Sequence, residues 1–188
     1  IEKNNFISNL INIINYHDSP VSTISYYAHW LMMKNISNEG YKVSVSGTGA
    51  DELFSGYYDH HLAYIAEMQY EKKSFFHESI SNWENNIKPY VRNPYLRNFD
   101  YFLKKPTSRS HIYLDSEVYG KYLNYPFKEE FEEKIYTPFL LRNRMANELL
   151  HESVPVILHE DDLNAMYFSI ENRSPFYDYK VIKTMMSI

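Results

Sequence analysis

The residue types most able to do chemistry lie in one short segment, residues 46–52, which reads Ser-Gly-Thr-Gly-Ala-Asp-Glu. Two glycines in a tight turn let backbone N–H groups approach an anion closely, and a helix starting just after them adds a favourable partial positive charge. A carboxylate at Asp51 repels a phosphate unless a divalent cation bridges the two, so the segment predicts phosphate binding with Mg²⁺ at Asp51. The alternative is a plain strand-turn-helix junction in which Asp51 and Glu52 complement the helix dipole. A Gly-x-Gly pattern alone does not decide between the two.

The elements that must hold this segment are predicted by hydrophobic periodicity. Apolar residues at helical spacing predict a first helix that starts near Phe6 and ends before Pro20, because the residue preceding a proline avoids the helical conformation. A second, largely buried helix is predicted over 24–36. The short alternating run 41–46 predicts a strand that leads directly into the turn.

The rest of the chain is predicted to be helical. Between residues 59 and 138, helical runs alternate with prolines, which indicates a helical insertion with extended connections. The part after residue 138 predicts, in order, a helix through Leu149, a break at Pro155, a helix from about Asp162 to Glu171 and a closing helix after Pro175. We therefore divide the chain into an α/β part (1–58), a helical insertion (59–138) and C-terminal helices (139–188).

Composition excludes several functional classes. The 188 residues, 44% of them hydrophobic, suit one globular domain. A net charge of −5 with only short basic pairs argues against nucleic-acid binding. The absence of cysteine excludes disulfides, thiolate catalysis and cysteine-based zinc sites. No apolar run is long enough to span a bilayer, so a cytoplasmic protein without membrane contact is expected, and the first residue, Ile1, predicts a longer parent.

A longer string around the turn resembles a known signature. Residues Ser46 to Tyr57 read Ser-Gly-x-Gly-Ala-Asp-Glu-x-x-x-Gly-Tyr, which resembles the signature of the synthetase domain of the asparagine synthetase family. Asp18-Ser19-Pro20 is similar to the family's Asp-Glu-Pro element, and the block 161–178 is similar to its later helix and its Glu-x-Arg-x-Pro-Phe-x-Asp sequence. The three blocks occur in the family's order, so the sequence is identified as a partial asparagine-synthetase-like domain.

The resemblance implies a fold and an activity. The fold would be a fragment of a PP-loop (adenine nucleotide alpha hydrolase-like) three-layer α/β/α domain, here predominantly α with a small parallel α/β part. The activity would be that of an ATP-dependent carbon–nitrogen ligase of the asparagine biosynthesis type, with ATP and Mg²⁺ as cofactors. ATP would adenylate a small-molecule carboxylate, pyrophosphate would leave with Mg²⁺, and an amine or ammonia would attack. A glutaminase domain, in the parent or in trans, would supply ammonia.

The same resemblance implies roles for individual residues. ATP and pyrophosphate would be held by Ser46, Gly47, Thr48 and Gly49, with the catalytic role of the substituted position 48 left open. Asp51 would bind Mg²⁺, and Glu52, Glu171 and Arg173 would support the pocket. For Glu171 and Arg173, which would anchor a helix beside the pocket, an exposed ion pair is an equal alternative.

Three departures from the family pattern bear on the activity. Asparagine synthetases carry Glu, and lactam-forming relatives Tyr, where this chain has Thr48, and threonine is no general base at neutral pH. Ser19 replaces the family's Glu. The family's upstream Ser-Gly-Gly-x-Asp-Ser loop and downstream lysine-bearing loop have no counterpart here, so the isolated chain is expected to lack synthetase activity. A lactam- or peptide-cyclising relative and a non-catalytic nucleotide-binding module of the same fold are the alternatives.

Two other polar clusters are weaker candidates. The side chains of Asp59, His60 and His61 diverge by about 100° per residue on a helix, which disfavours a shared metal. The acidic run 159–162 is expected to be a solvated first turn of a helix, with Asp161 or Asp162 as its N-cap.

Overall fold

The chain consists of two compact units in the computed structural model. One unit comprises residues 1–53 and 149–188, and the other comprises 54–148. The structure describes residues 5–70, 73–112, 116–126 and 131–187. The three-part division expected from the sequence stays a prediction.

Ten α-helices and two strands lie within those described ranges. In chain order they are α1 (Phe6–His17), α2 (Ile24–Asn38), β1 (Val43–Val45), α3 (Ala50–Phe54), α4 (Tyr58–Met68), α5 (Lys73–Asn86), α6 (Tyr101–Lys104), α7 (Ser116–Tyr119), α8 (Leu140–Leu150), α9 (Ser153–Met166), β2 (Glu171–Arg173) and α10 (Tyr179–Met186). Short 3-10 turns occupy 88–90, 95–97, 120–122 and 175–177.

The first two helices end for local reasons that the sequence predicts. The C-cap of α1, Asp18, is in the left-handed conformation with φ 51°, and Pro20 follows. After α2, Gly40 takes φ 85°, and its N–H donates to the Ser37 carbonyl at 2.9 Å. Because glycine adopts this φ at little cost, the chain reverses there and enters β1.

The two strands form a parallel pair that positions the predicted turn. Val43 lies opposite Glu171 and Val45 opposite Arg173. Between them, the Ser44 hydroxyl donates to Asn172 Oδ1 at 2.6 Å. Because the carboxyl ends of parallel strands meet at one edge, the segments that follow β1 and β2 lie side by side.

The first unit packs around α2. Tyr27 and Trp30 are buried with Ile13 of α1, and the Trp30 ring lies 5.0 Å from the Phe168 ring. One turn further along α2, Met33 packs with Ala165 and Ile170. One face of α2 therefore supplies the centre of this unit. The prediction that α2 is largely buried is wrong, because its other face is exposed, with Ile24 at 59% and Met32 at 49%.

The second unit has a core of its own. Small and branched side chains of α4 pack against Trp83 of α5 and Phe102 of α6. The buried members are Leu62, Ala63, Ile65, Ala66, Trp83, Val91, Leu96 and Phe102.

The predicted helix from Asp162 to Glu171 is wrong. The helix is α9, which begins at Ser153 and ends at Met166, and Pro155 does not break it. Pro155 lies in the first turn, where a helical N–H has no partner to lose. Glu171 belongs instead to β2, because pairing with β1 outweighs local helical preference there.

The architecture is mostly helical with one small parallel sheet, which confirms the helix-rich α/β expectation at that level. The three-layer PP-loop arrangement stays a prediction. Among the described residues, no helix has both the length and the apolar character that a membrane crossing needs.

Candidate functional site

The turn after β1 is anchored to the segment after β2. The Ser46 N–H donates to the Arg173 carbonyl at 2.8 Å, which extends the strand pairing by one residue. The Ser46 hydroxyl lies 3.1 Å from the Ser174 hydroxyl, and the two form a hydrogen bond in which either can be the donor. The start of the turn is therefore held by the sheet itself.

Gly49 is required by the geometry of the turn. Its φ is +94°, a conformation that other residues adopt at a cost, and a Cβ there would lie 2.3 Å from Cε1 of Tyr177. The backbone of the turn thus passes directly against the Tyr177 ring. Gly47 differs, because nothing lies within 4 Å of the position its Cβ would take.

The side chain of Thr48 is fixed by a hydrogen bond to the buried carboxylate of Asp161. Its hydroxyl donates to Asp161 Oδ2 at 3.1 Å, and Asp161 is only 5% exposed. The other oxygen, Oδ1, accepts a hydrogen bond from His29 Nδ1 at 3.0 Å. One carboxylate of α9 therefore links the turn to α2.

Three consecutive backbone amides of the turn have no acceptor in the part of the chain that the structure describes. Across the described ranges, no acceptor takes a hydrogen bond from the N–H groups of Gly47, Thr48 or Gly49. The turn carbonyls are engaged, since Gly47 O accepts from Ala50 N–H at 3.3 Å. Consecutive amides without an internal acceptor are the feature that an anion-binding turn needs.

The carboxylates beside the turn differ in exposure. Asp51 is exposed, whereas Glu52 is buried at 2% exposure. Both lie on α3, which has only five residues, so the dipole of this helix contributes less than the sequence suggests. Attraction for an anion must therefore come from the amides of the turn and from a bound cation.

Tyr177 forms an apolar wall behind Gly49. Its hydroxyl is buried, and none of the described residues bonds to it. Burial raises the pKa of Tyr177, and the nearby carboxylates of Glu52 and Asp161 raise the pKa further. The phenol stays protonated at physiological pH.

These groups fit a magnesium–phosphate ligand. The amides of the turn offer donors to phosphate oxygens, while the surrounding carboxylates of Asp51, Glu52 and Asp161 repel a bare polyphosphate. Mg²⁺ prefers carboxylate and phosphate oxygens, and of these three carboxylates Asp51 is the exposed one. The donor set therefore suits a phosphate that arrives with its metal.

Glu171 and Arg173 lie on β2 rather than on a helix. Arg173 Nε donates to Glu171 Oε1 at 2.9 Å, with the two side chains 60% and 62% exposed. Each group shifts the other's pKa towards the charged form, lowering that of Glu171 and raising that of Arg173. The pair forms an exposed ion pair, which was one of the two interpretations left open.

Neither His29 nor Asp161 is predicted as a site residue from the sequence. The expectation that 159–162 forms a solvated first turn is wrong, because this run lies in the second half of α9, with Glu160 and Asp161 buried. The helical spacing of the sequence does contain a signal that Asp161 is buried. Val154, Asp161 and Ala165 fall on one face, so a carboxylate interrupts an apolar stripe and must have a buried partner.

A second cluster, in the 54–148 unit, brings Asp59, His60 and Glu148 within 4.8 Å of one another. His60 Nδ1 accepts from the Gly56 N–H at 3.3 Å, so its Nε2–H donates to Glu148 at 2.8 Å. Arg144 donates to Asp59 at 3.2 Å and pairs with Glu148 at 3.0 Å. With both nitrogens of the imidazole engaged and a guanidinium between the carboxylates, the cluster is a protein ion network.

Comparison with known proteins gives one match. A search of curated proteins found no match, and neither did a search of solved structures. The family model described as asparagine synthase matches residues 1–188, the whole length of the sequence. The chain therefore belongs to the asparagine synthase family.

Proposed function

We propose that this chain forms the pyrophosphate-binding part of an ATP-dependent, asparagine-synthetase-like enzyme that activates a carboxylate as an acyl-adenylate and converts it to an amide. Members of the family are ligases that depend on ATP. The observation that carries the proposal is the turn 46–49, in which the N–H groups of Gly47, Thr48 and Gly49 have no acceptor among the described residues although Ser46 and Gly49 are fixed in place. Such a turn is pre-organised to bind an anion and loses little entropy when it does so.

Each residue of the turn has a role in the proposal. Ser46, Gly47, Thr48 and Gly49 hold the phosphates through the turn, and Gly49 lets the backbone lie flat against Tyr177. Asp51 binds Mg²⁺, which neutralises negative charge on the leaving pyrophosphate. Glu52, buried beside Tyr177, supports the wall of the pocket.

The proposed substrates follow from the chemistry. A small-molecule carboxylate is adenylated, and an amine or ammonia then attacks the activated carbonyl carbon. Ammonia comes from a glutaminase domain in the parent or in trans. A cytoplasmic location, where ATP is available, suits this reaction.

The test is Mg²⁺-dependent pyrophosphate binding by the protein that contains residues 1–188, measured by calorimetry. We expect Asp51→Asn to weaken binding at least about tenfold, equivalent to about 1.4 kcal/mol. Glu39→Gln removes an exposed carboxylate from the end of α2 and is the matched control, which should bind as the unsubstituted protein does. Equal binding by all three proteins would contradict the assignment of Asp51.

Activity separates the enzyme from a binding module. The protein that contains this chain should exchange pyrophosphate with ATP when a suitable carboxylate is present, and the isolated 188 residues should not. Exchange by the isolated chain would overturn the expectation that it is inactive alone. Binding without exchange in the whole protein would instead support a non-catalytic nucleotide-binding module.

A further inference from the structure

Amide formation requires a group that removes a proton from the attacking amine, and position 48 does not supply it. Thr48 is a neutral alcohol whose hydroxyl proton is already donated to Asp161 at 3.1 Å. A base with a pKa near the working pH contributes about 100- to 10,000-fold to such a step. A group other than Thr48 must therefore accept the proton if the proposed function holds.

His29 is placed to do so. A carboxylate can only accept hydrogen bonds, so the 3.0 Å contact between His29 Nδ1 and Asp161 Oδ1 puts the imidazole proton on Nδ1. The lone pair then lies on Nε2. The side chain is 40% exposed while its carboxylate partner is 6% exposed, so the dyad has a buried anchor and an accessible base.

Three other histidines for which the structure gives a carboxylate partner lack this access. The side chains of His17 and His60 are fully buried, and that of His111 is 5% exposed. Of these pairs, the one formed by His29 shares its carboxylate with the phosphate-binding turn. Buried pairs of this kind hold a fold together but do not meet a substrate.

The charged surroundings of His29 favour its role. Asp161 faces it from α9, and the Tyr26 ring lies 6.1 Å away, edge-on. Burial raises the pKa of Tyr26, helped by Glu160 and Asp161, so this neighbour is neutral. Glu160 points to His17, with 3.2 Å between Oε2 and Nδ1. Asp161 is thus the carboxylate that orients the imidazole of His29.

We propose that the dyad of His29 and Asp161 is the base that deprotonates the attacking amine during amide formation, in place of a carboxylate at position 48. This inference rests on the proposed function. The amine nitrogen forms a bond to the carbonyl carbon of the acyl-adenylate, and one of its protons passes to His29 Nε2. The electron pair of the tetrahedral intermediate then re-forms the carbonyl, the carbon–oxygen bond to AMP breaks, and AMP leaves with that bonding pair. His29 returns its proton to solvent.

The first experiment compares the two half-reactions in the protein that contains this chain. His29→Gln should keep ATP–pyrophosphate exchange within about twofold and slow amide formation by about 100-fold or more, since only the second step needs the base. The acid limb of the pH profile for amide formation should disappear, and added imidazole should restore part of the rate. His159→Gln, on the exposed side of α9, is the matched control and should change neither step.

The second experiment does not depend on activity. In ¹⁵N NMR spectra, His29 should show a protonated Nδ1 and a free Nε2, and Asp161→Asn should abolish this preference while leaving His159 unchanged. An Nε2-protonated His29 in the unsubstituted protein would overturn the dyad.

The outcomes separate the two proposals. If the unsubstituted protein shows no ATP–pyrophosphate exchange, the proposed function fails and the dyad proposal fails with it. If exchange occurs and His29→Gln forms amide at the unsubstituted rate, only the dyad is refuted. Loss of both half-reactions without rescue by imidazole would assign His29 a structural role and likewise refute the dyad.

Discussion

Gly47 and Gly49 are two positions apart in the same turn, yet a methyl group would meet different surroundings at each. At Gly49 the backbone has a positive φ, and the methyl group would lie 2.3 Å from the Tyr177 ring. At Gly47 the methyl group would have no neighbour within 4 Å. Gly40 provides a third case, with φ +85° and nothing within 4 Å. The three glycines therefore separate backbone strain from steric crowding.

Alanine substitutions at these glycines test the packing of the turn. We expect Gly49→Ala to lower the free energy of unfolding by about 2–4 kcal/mol, because strain and overpacking add. Gly40→Ala should cost about 1 kcal/mol from φ alone, and Gly47→Ala should stay within about 0.5 kcal/mol. Chemical denaturation measures all three. Equal losses for Gly49→Ala and Gly40→Ala would show that the Tyr177 ring does not press on the turn.

Helix α8 stabilises a neighbouring segment that has no regular secondary structure. Asn147 is fully buried, and its side chain accepts from the Lys134 N–H and donates to the Lys134 carbonyl, each at 2.8 Å. One turn earlier, Asn143 accepts from the N–H groups of Tyr136 and Thr137. Two asparagines on one helix face thus replace a strand partner for residues 134–137.

Removing one of these side chains should affect stability more than its size suggests. Asn147→Ala removes a fully buried amide side chain and leaves the N–H and carbonyl of Lys134 without these partners, so we expect a loss of about 1–3 kcal/mol in unfolding free energy and faster exchange of the Lys134 amide. Asn85→Ala is the control on an exposed helix position, where the amide donates to Ser81 at 3.4 Å. The control should change stability by less than about 0.5 kcal/mol. Equal effects at both positions would contradict the role given to Asn147.

At the scale of the whole molecule, the 54–148 unit depends on buried charges. Burial acts to raise the pKa of Asp59, but the hydrogen bond from His111 and the electrostatic interactions with His60, His111 and Arg144 outweigh it and lower the pKa from 3.8 to about 2. Burial raises the pKa of Glu148 despite its bond from His60. The two carboxylates therefore act in opposite directions on stability as pH changes.

The network predicts a specific acid sensitivity. Because the pKa of Asp59 is lower in the folded protein, its stabilisation is complete above its ordinary pKa of 3.8 and is lost as pH falls towards about 2. That contribution is about 2 kcal/mol. Asp59→Asn should lower stability at pH 7 and flatten the unfolding free energy between pH 4 and pH 2. Asp100→Asn, at a surface ion pair with Lys104, is the control and should keep the slope. An unchanged slope in Asp59→Asn would contradict the network.

The sequence by itself determined the family, the first two helices, the strand β1 and the turn that follows it. Those features depend on neighbours in the chain: apolar spacing, a proline after α1, and glycines where φ must be positive. Local sequence was sufficient because each of these helices, the strand and the turn is specified by residues only a few positions apart.

Tertiary structure decided the composition of the candidate site. Asp161 lies 113 positions from Thr48 and 132 from His29, and no local pattern brings them together. The same is true of β2, whose first residue, Glu171, is predicted as the end of a helix, and of Tyr177, which contacts Gly49 only in the folded chain. Burial of α9 against α2 is the physical cause, since a carboxylate on its apolar face must find hydrogen-bond donors and finds them on the turn and on His29.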